Sequence, residues 1–345
     1  MKKDRKAESA NVILTDFPEF PDWDFIRGLE DATGSPWQML SCPSNHLFGN
    51  PVKQALRLIK YLLFPFRLFL FRRRYDKIIS WQQYYGLIFA FYCAVFHVPK
   101  RFDLTIMSFI FQETDGLMGR IHHRLLRKIL CSGYVDRLII SSRREAGHYS
   151  RLLDVPESLF HFVPLGLDDS APAEGAAQPS AGPCYVSAGR SNRDYETLLS
   201  LWPQDRKLIV ITDQPVSTGN ASAEMISGCY GKDFLRRLSE CRAGVVFLKD
   251  EHISAGQLVI LQCFMLGKPV IVTRSAGTED YVRDQRNGLY AEKNAESLEK
   301  AIRRLDDPET YREMCRQARE DYERNYSIRA MGFNVGAIIC GSAAP

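Results

Sequence analysis

Short continuous apolar runs alternate along this chain with longer stretches whose apolar residues recur three and four apart, the first pattern reading as buried strands and the second as helices. Strands are expected at 11–15, through Met39 and Leu40, and at 77–80, 104–110, 136–141, 183–187, 208–212, 243–248 and 270–273. Helices are expected at 82–97, 116–130, 142–153, 233–242, 295–304 and 308–322, with another carrying Leu258, Leu261, Gln262 and Met265 on one face. Repeated strand-then-helix order implies mostly parallel sheets covered by helices on both faces, an α/β class. Residues 170–182 break the pattern; they are small, proline-containing and without period, which reads as a linker.

One helix departs from the ordinary. From Ala32 to Phe102 the only acidic residue is Asp76, while Lys53, Arg57 and Lys60 fall on one side of a helix whose other side carries Ala55, Leu56, Ile59, Leu62 and Leu63. Pro65 should break or kink it. The apolar run 61–71 contains Arg67 and is too short for the ~20 residues a spanning helix needs. It suits a helix lying in a membrane interface with Arg72, Arg73 and Arg74 meeting anionic head groups, or a core helix with a solvated basic face.

At 345 residues the chain has room for two domains. Its charge is divided: residues 1–165 hold 23 Lys plus Arg against 16 Asp plus Glu, and the remainder 22 against 25. The basic half therefore needs a partner of its own, and an anionic membrane surface, not nucleic acid, is the expectation. Nine scattered cysteines with no C-x-x-C pair favour reduced thiols over a disulfide frame or zinc site. The start, MKKDRKAESA, runs into acids and polar residues and does not read as a signal peptide.

Candidate chemistry concentrates at 254–290. Ser254, Ala255 and Gly256 precede the helix of Leu258 to Met265; Gly267 stops it, and Pro269 cannot continue it. A strand follows, then a second small-residue loop, Ser275, Ala276 and Gly277, expected to open a short helix from about Thr278 and to end at the Asn287-Gly288 turn. Small-residue loops at helix N-termini leave backbone N–H groups and the positive helix end pointing at an anion. The same glycines also serve close packing of helix on sheet. Upstream, Asp22-Trp23-Asp24 matches a metal-holding D-x-D pattern, but it follows the first strand, where a nucleotide-binding region has not yet been built.

The order SAGQ, GKPVIVT, a G-x-EDYV loop and NGLY resembles the donor-binding half of family 4 retaining glycosyltransferases of the GT-B fold. The stretch 134–168, ending V-P-L-G-x-D, resembles the end of that family's N-terminal domain. The resemblance implies two Rossmann-like domains facing a cleft. It divides the chain into an acceptor-binding, membrane-facing domain at 1–169, the linker at 170–182, a nucleotide-sugar-binding domain at 183–325 and a segment at 326–345 crossing back to the first domain. It also implies sugar transfer with retention from a nucleotide diphosphate sugar; the basic apolar stretch adds the expectation of a lipid or lipid-linked saccharide acceptor and of a cytoplasmic protein peripheral on the inner membrane face.

No cofactor and no metal are implied, because fixed cations stabilise the leaving diphosphate. Gly189 and Arg190, with Arg193 three residues on, stand where the family grips that diphosphate. Lys249 is either a second such cation or a solvated lysine. Donor contacts would come from Gly189, Arg190, Arg193, Lys249, Ser254, Ala255, Gly256, Gln257 and Gln262. No general base is assigned: His122, His123, His148 and His252 read as surface or helix histidines, and in the mechanism favoured for the family the leaving phosphate takes the acceptor's proton. Two departures stand out. The family usually carries two glutamates eight residues apart, for the donor sugar and the ribose, where this chain has Ser254 and Gln262. Its glycine-rich loop after the first strand is replaced by FPEFPDWDF. Gln262 leaves room for a non-catalytic nucleotide-sugar-binding scaffold, and a GT-B nucleotide-sugar epimerase would share the fold.

Overall fold

The computed structural model describes residues 10–20, 22–47, 49–171, 184–216 and 219–342. They form two units, 1–163 with 332–345 and 164–331. Each is built on a six-stranded sheet whose pairings are all parallel.

Unit 1 runs β1 (Ala10–Thr15), α1 (Asp24–Thr33), β2 (Trp37–Ser41), α2 (Pro51–Leu70), β3 (Tyr75–Ser80), α3 (Gln83–Val95), β4 (Asp103–Ile106), α4 (Gly116–Leu130), β5 (Arg137–Ile140), α5 (Arg143–Leu153) and β6 (Phe160–Phe162). The strand order β2-β1-β3-β4-β5-β6 reverses direction between β1 and β3. Helices α2, α3, α4 and α5 pack side by side. They share a core with Val12, Leu14, Ile78, Leu104, Ile106, Leu138 and Ile140. Strands buried on both faces lose the alternation of a half-exposed sheet and read as continuous apolar runs, which is why most strands were expected within a residue or two.

Three features of unit 1 differ from expectation. α1 was not foreseen: its apolar positions are few, and its end is set by Gly34 in the left-handed region, whose N–H donates to Glu30 O at 2.8 Å. α2 starts where Asn50 accepts from Val52 N at 2.8 Å, but it continues through Pro65. Aromatic contacts on both sides of the proline hold it to the rest of unit 1: Tyr61 and Phe64 against Tyr85, and Phe69 against Phe96. The buried stripe of α2 is Tyr61, Pro65, Leu68 and Phe69, so the apolar side with Leu56, Ile59, Leu62 and Leu63 lies in solvent, Leu63 being 62 % exposed. A core role for that side is thereby excluded.

Unit 2 runs β7 (Cys184–Ala188), α6 (Tyr195–Leu201), β8 (Lys207–Ile211), β9 (Ala223–Ile226), α7 (Gly231–Glu240), β10 (Ala243–Val246), α8 (Gln257–Met265), β11 (Val270–Val272), β12 (Gly288–Tyr290), α9 (Ala295–Asp306) and α10 (Pro308–Asp321). The order β12-β11-β10-β7-β8-β9 reverses between β7 and β10. One core gathers α7, α8 and α10 with Val186, Val246 and Val272; the other gathers α6 and α9 with Tyr185, Val245 and Ile271, so successive strand residues fill opposite faces.

The units divide at 163/164 and 331/332, where the sequence reading sets 169 and 325. Leu165 and Leu167 pack on the core of unit 2, and Leu167 exchanges backbone bonds with Tyr326 and Ile328 (3.0 and 2.9 Å), holding both crossings in unit 2. Of the expected linker, 172–182 lie outside the described residues, as do 1–9 of the segment examined for a signal peptide. α11 (Ile328–Ile339) straddles the second division. From Gly332 on it packs in unit 1, where a Cβ at Gly332 would stand 2.1 Å from Phe25 O, and one at Gly336 2.7 Å from Ala32 Cβ.

Candidate functional site

In an open parallel sheet, ligands bind beyond the carboxyl ends of the strands at the point where strand order reverses, because the two connecting loops there diverge and leave a crevice. In unit 2 that point lies between β7 and β10. The loop after β7 carries Gly189 and Arg190, and the segment after β10 carries Lys249 and leads to Ser254, Ala255 and Gly256 at the start of α8.

The two loops are tied together by Asn192, which the sequence reading passed over. Its side chain donates to Asp250 O at 2.7 Å and accepts from Asp250 N at 2.9 Å, and its carbonyl accepts from Lys249 N at 3.1 Å. Asn192 sits at φ 57, a left-handed geometry that asparagine tolerates. Behind it, Asp194 caps α6 and pairs with Lys293 at 2.8 Å. Burial opposes the charge on Asp194, but the bonds from Lys293 and Thr197 outweigh it and hold the carboxyl below its usual range.

Arg193, expected at the diphosphate, turns inward. It is 7 % exposed, and its guanidinium donates to Ala188 O at 2.7 Å and Ser191 O at 2.8 Å. A Cβ at Gly189 (φ 117) would lie 2.5 Å from an Arg193 nitrogen. The arginine therefore fills the space beneath the glycine and braces the turn. Desolvation lowers its pKa from the arginine value. A G-R-x-x-R spacing carries no sign of which arginine points inward, so this role was not readable. Arg190, by contrast, is exposed, and its carbonyl accepts from the Gln214 side chain at 2.8 Å. Lys249 is exposed too, its carbonyl accepting from Lys293 at 3.2 Å.

α8 begins at Gly256, which stands at φ 96 and offers no side-chain cap. The amides of Gln257, Leu258 and Val259 are the first of the helix and lack partners within it. Ser254 is half-buried and accepts a hydrogen bond from the Gln257 side chain. Gln262 lies half-buried further along α8, and among the described residues its side chain has no hydrogen-bond partner.

The second small-residue loop is different from the first. Ser275 N donates to Thr278 Oγ1 (3.0 Å), Ala276 N to Glu251 O (2.8 Å), Gly277 N to Ser275 Oγ (3.2 Å), and Thr278 N and Glu279 N to Ser275 O. Its amides are spent within the protein, and the expected helix from Thr278 is a series of turns. Gly277 serves packing: a Cβ there would stand 2.1 Å from Ala255 O and 2.4 Å from Ala255 N, so this loop lies directly against the first. Only the α8 loop keeps the features of an anion cradle. Sequence reasoning also missed Arg274, exposed after β11 and stacked over Tyr290 at 4.0 Å.

In unit 1 the corresponding reversal lies between β1 and β3. The FPEFPDWDF loop and the residue after β3 build an aromatic cluster there: Trp81 meets Phe17, Trp23 and Phe25 edge-on at 6.2, 4.8 and 5.1 Å, and Phe20 stacks on Phe17 while half exposed. Gln82 donates to Asp16 Oδ2 at 3.4 Å and to Tyr61 at 3.2 Å. Asp22 and Asp24 both pair with Arg27, at 3.4 and 3.1 Å, which accounts for the D-x-D spacing without a metal.

Comparison with known proteins fits this geometry. Residues 222–307 match the family model described as Glycosyl transferases group 1. Among solved structures, the Anabaena protein Alr3699/HepE in complex with UDP superposes with a TM-score of 0.64 at 11 % identity over 96 % of this chain and 100 % of that one. Sucrose-phosphate synthase from Thermosynechococcus elongatus gives 0.66 at 16 % identity, covering 96 % and 98 %. WaaG, a glycosyltransferase involved in lipopolysaccharide biosynthesis, gives 0.58 at 13 %, covering 96 % and 100 %. No curated protein matches by sequence. The chain thus has the two-unit GT-B fold and, over residues 222–307, matches the model of group 1 glycosyltransferases.

Proposed function

We propose that this protein transfers a sugar, with retention at the anomeric carbon, from a nucleotide diphosphate sugar to a lipid or lipid-linked saccharide acceptor at an anionic membrane surface. The observation that carries the reading is the start of α8 without a side-chain cap, at the strand-order reversal of unit 2 where the loops after β7 and β10 carry Arg190 and Lys249. As the glycosidic bond breaks, negative charge grows on the leaving diphosphate; oriented amides and two exposed cations stabilise it without reorganising. The departing phosphate then takes the acceptor hydroxyl's proton, and no cofactor enters. Incubation with UDP-, GDP- and ADP-sugars should release nucleoside diphosphate from one of them, and NMR of the product should show the donor's anomeric configuration kept. Tight nucleotide binding with no release under any acceptor would instead favour a nucleotide-sugar-binding scaffold, the reading to which Gln262 lends support.

Gln262 stands where a ribose diol would be held. Gln262→Leu should weaken binding of the cognate nucleoside diphosphate by ~1 to 3 kcal/mol through loss of a hydrogen bond, while Gln262→Glu should hold or tighten it. Calorimetry decides; equal affinities for all three proteins would move the ribose elsewhere.

The membrane part rests on the outer surface of the helix row. Val52, Leu56, Leu58, Ile59, Leu62, Leu63 and Leu70 on α2 and Leu117, Met118, Ile121 and Leu125 on α4 are all exposed, and clustered exposed apolar residues of this kind mark interaction surfaces. Lys53 and Arg73 are exposed beside it; Arg57 stacks over Tyr61, Lys60 donates to Pro43 O, Arg72 folds over Phe69 and Arg74 over Phe71. A pocket of about 690 Å³ lined by His97, Arg124, Arg127 and Lys128 adds positive charge between α3 and α4. No described helix is long and apolar enough to cross a membrane, so binding would be in-plane and peripheral, which the reading assigns to the inner face. With each juxtamembrane basic residue worth ~1 kcal/mol, the protein should co-sediment with vesicles containing anionic lipid. Molar salt, Arg72→Glu/Arg73→Glu/Arg74→Glu and Leu62→Gln/Leu63→Gln should each reduce the bound fraction. Indifference to anionic vesicles at low salt would end the membrane part of the reading.

A further inference from the structure

All nine cysteines are free thiols, but two of them meet. Cys184 opens β7, and Cys241 lies between the end of α7 and the start of β10; their Sγ atoms are 3.1 Å apart. Arg242 N donates to Cys184 O at 2.8 Å, extending the pairing of Ala243 with Tyr185 by one step. Cys241 stands one residue before the partner of Cys184, so an offset of about 3.3 Å along the strand adds to a strand spacing of about 4.8 Å, which together stay inside the Cα separation of about 4.4 to 6.8 Å that a disulfide spans. Closing the bond asks the sulfurs to approach by about 1 Å. Cys184 is half-buried and within reach of a small reagent, whereas Cys241 is fully buried.

A third group belongs to the same place. Lys268, just past α8, is 2 % exposed, and its Nζ has no hydrogen-bond partner among the described residues. An ammonium so placed is costly unless an anion forms beside it. Burial lowers the Lys268 pKa, and Cys315, Cys241, Cys263 and Cys184, all thiols able to become that anion, act to raise it. The hydrogen bond with Cys241 holds the Cys184 thiol down to about 7, with burial opposing and Lys207 assisting. The same bond and burial push Cys241 up, and Lys268 acts to bring it down.

We propose that Cys184 and Cys241 form a reversible disulfide site, with Lys268 promoting its closure, when the protein meets a low-molecular-weight disulfide oxidant. The Cys184 thiolate attacks one sulfur of the oxidant and expels the first thiolate. The Cys241 sulfur then attacks Cys184 Sγ; the mixed disulfide breaks, and the second thiol leaves with the Cys241 proton. Two protein thiols are oxidised and one oxidant disulfide is reduced to two thiols, which balances the step. The bond would clamp the amino ends of β7 and β10, the two strands whose carboxyl ends carry the Gly189 and Lys249 loops.

The test uses the full chain treated with oxidised glutathione, alkylated and mapped by mass spectrometry without reduction. The expected result is a Cys184–Cys241 linked peptide pair, reversed by dithiothreitol, with an upward shift in Tm of about 5 °C from the closed loop. Cys184→Ser and Cys241→Ser should each abolish the link, while Cys263→Ser leaves it. Lys268→Met should slow closure about tenfold, so that glutathione accumulates on Cys184. Glutathione persisting on Cys184 of the unaltered protein, or links confined to the exposed Cys131 and Cys340, would overturn the proposal.

Discussion

Arg190→Ala is expected to cut turnover by roughly 30- to 1000-fold, the equivalent of ~2 to 4 kcal/mol of transition-state stabilisation. The residue is exposed, and its hydrogen bond with Gln214 uses its backbone carbonyl, which alanine retains. Nothing in the core depends on its guanidinium, so the melting temperature should stay within a degree or so of the unaltered protein. The loss should fall mainly on kcat, because charge on the diphosphate is greatest as the sugar departs. Arg193→Ala makes the contrast: removing a buried brace from beneath Gly189 should lower stability and activity together. An Arg190→Ala protein with unimpaired turnover would exclude that side chain from the diphosphate site.

Gly277→Ala should be the more damaging change, although it adds one methyl group. The added carbon would stand 2.1 Å from Ala255 O and 2.4 Å from Ala255 N. Both are backbone atoms that cannot rotate away, so the two loops must part. Overpacking of this kind costs about 3 kcal/mol, measurable as a lower urea midpoint. Moving the Ser254–Gly256 segment by an ångström should also cost roughly 100-fold in rate in the molecules that still fold. Gly219→Ala is the control: among the described residues no atom lies within 4 Å of its Cβ position, and it should leave both quantities unchanged. A Gly277→Ala protein of normal stability would mean that the contact between the loops is looser than described.

These two residues mark what can be read from residue order and what cannot. Strands such as Lys207–Ile211 and Val270–Val272 declare themselves because both faces of a parallel sheet are buried, and α4 and α5 because their apolar spacing is regular and Ser142 with Glu145 forms a capping box. The small-residue loops at 254–256 and 275–277 were equally visible, yet look alike in sequence; only the bonding of their amides separates an anion cradle from a packing surface. The inward direction of Arg193 is hidden for a related reason, since a side chain's direction out of a turn depends on the turn's dihedral angles. α1, α6 and β9 are short, with too few apolar positions for a period to emerge. Pro65 misled because the cost of one lost helical bond was weighed without the aromatic packing that offsets it. In unit 1 the aromatic cluster around Trp81 gathers residues from two separate loops that no local motif connects.

The helix that straddles the two units has a consequence for how the protein comes into being. Gly332 and Gly336 lie against Phe25 and Ala32, so α1 keeps a bare flank until α11 arrives. All of residues 164–331 must be made between the two parts of unit 1. At ordinary rates of synthesis that interval lasts roughly 10 to 30 s. During it the nascent first unit presents an incomplete surface on α1 together with the exposed leucines of α2. The segment most open to unwanted association is thus also the one completed last, and a truncation before Gly332 would injure the first unit, not the second.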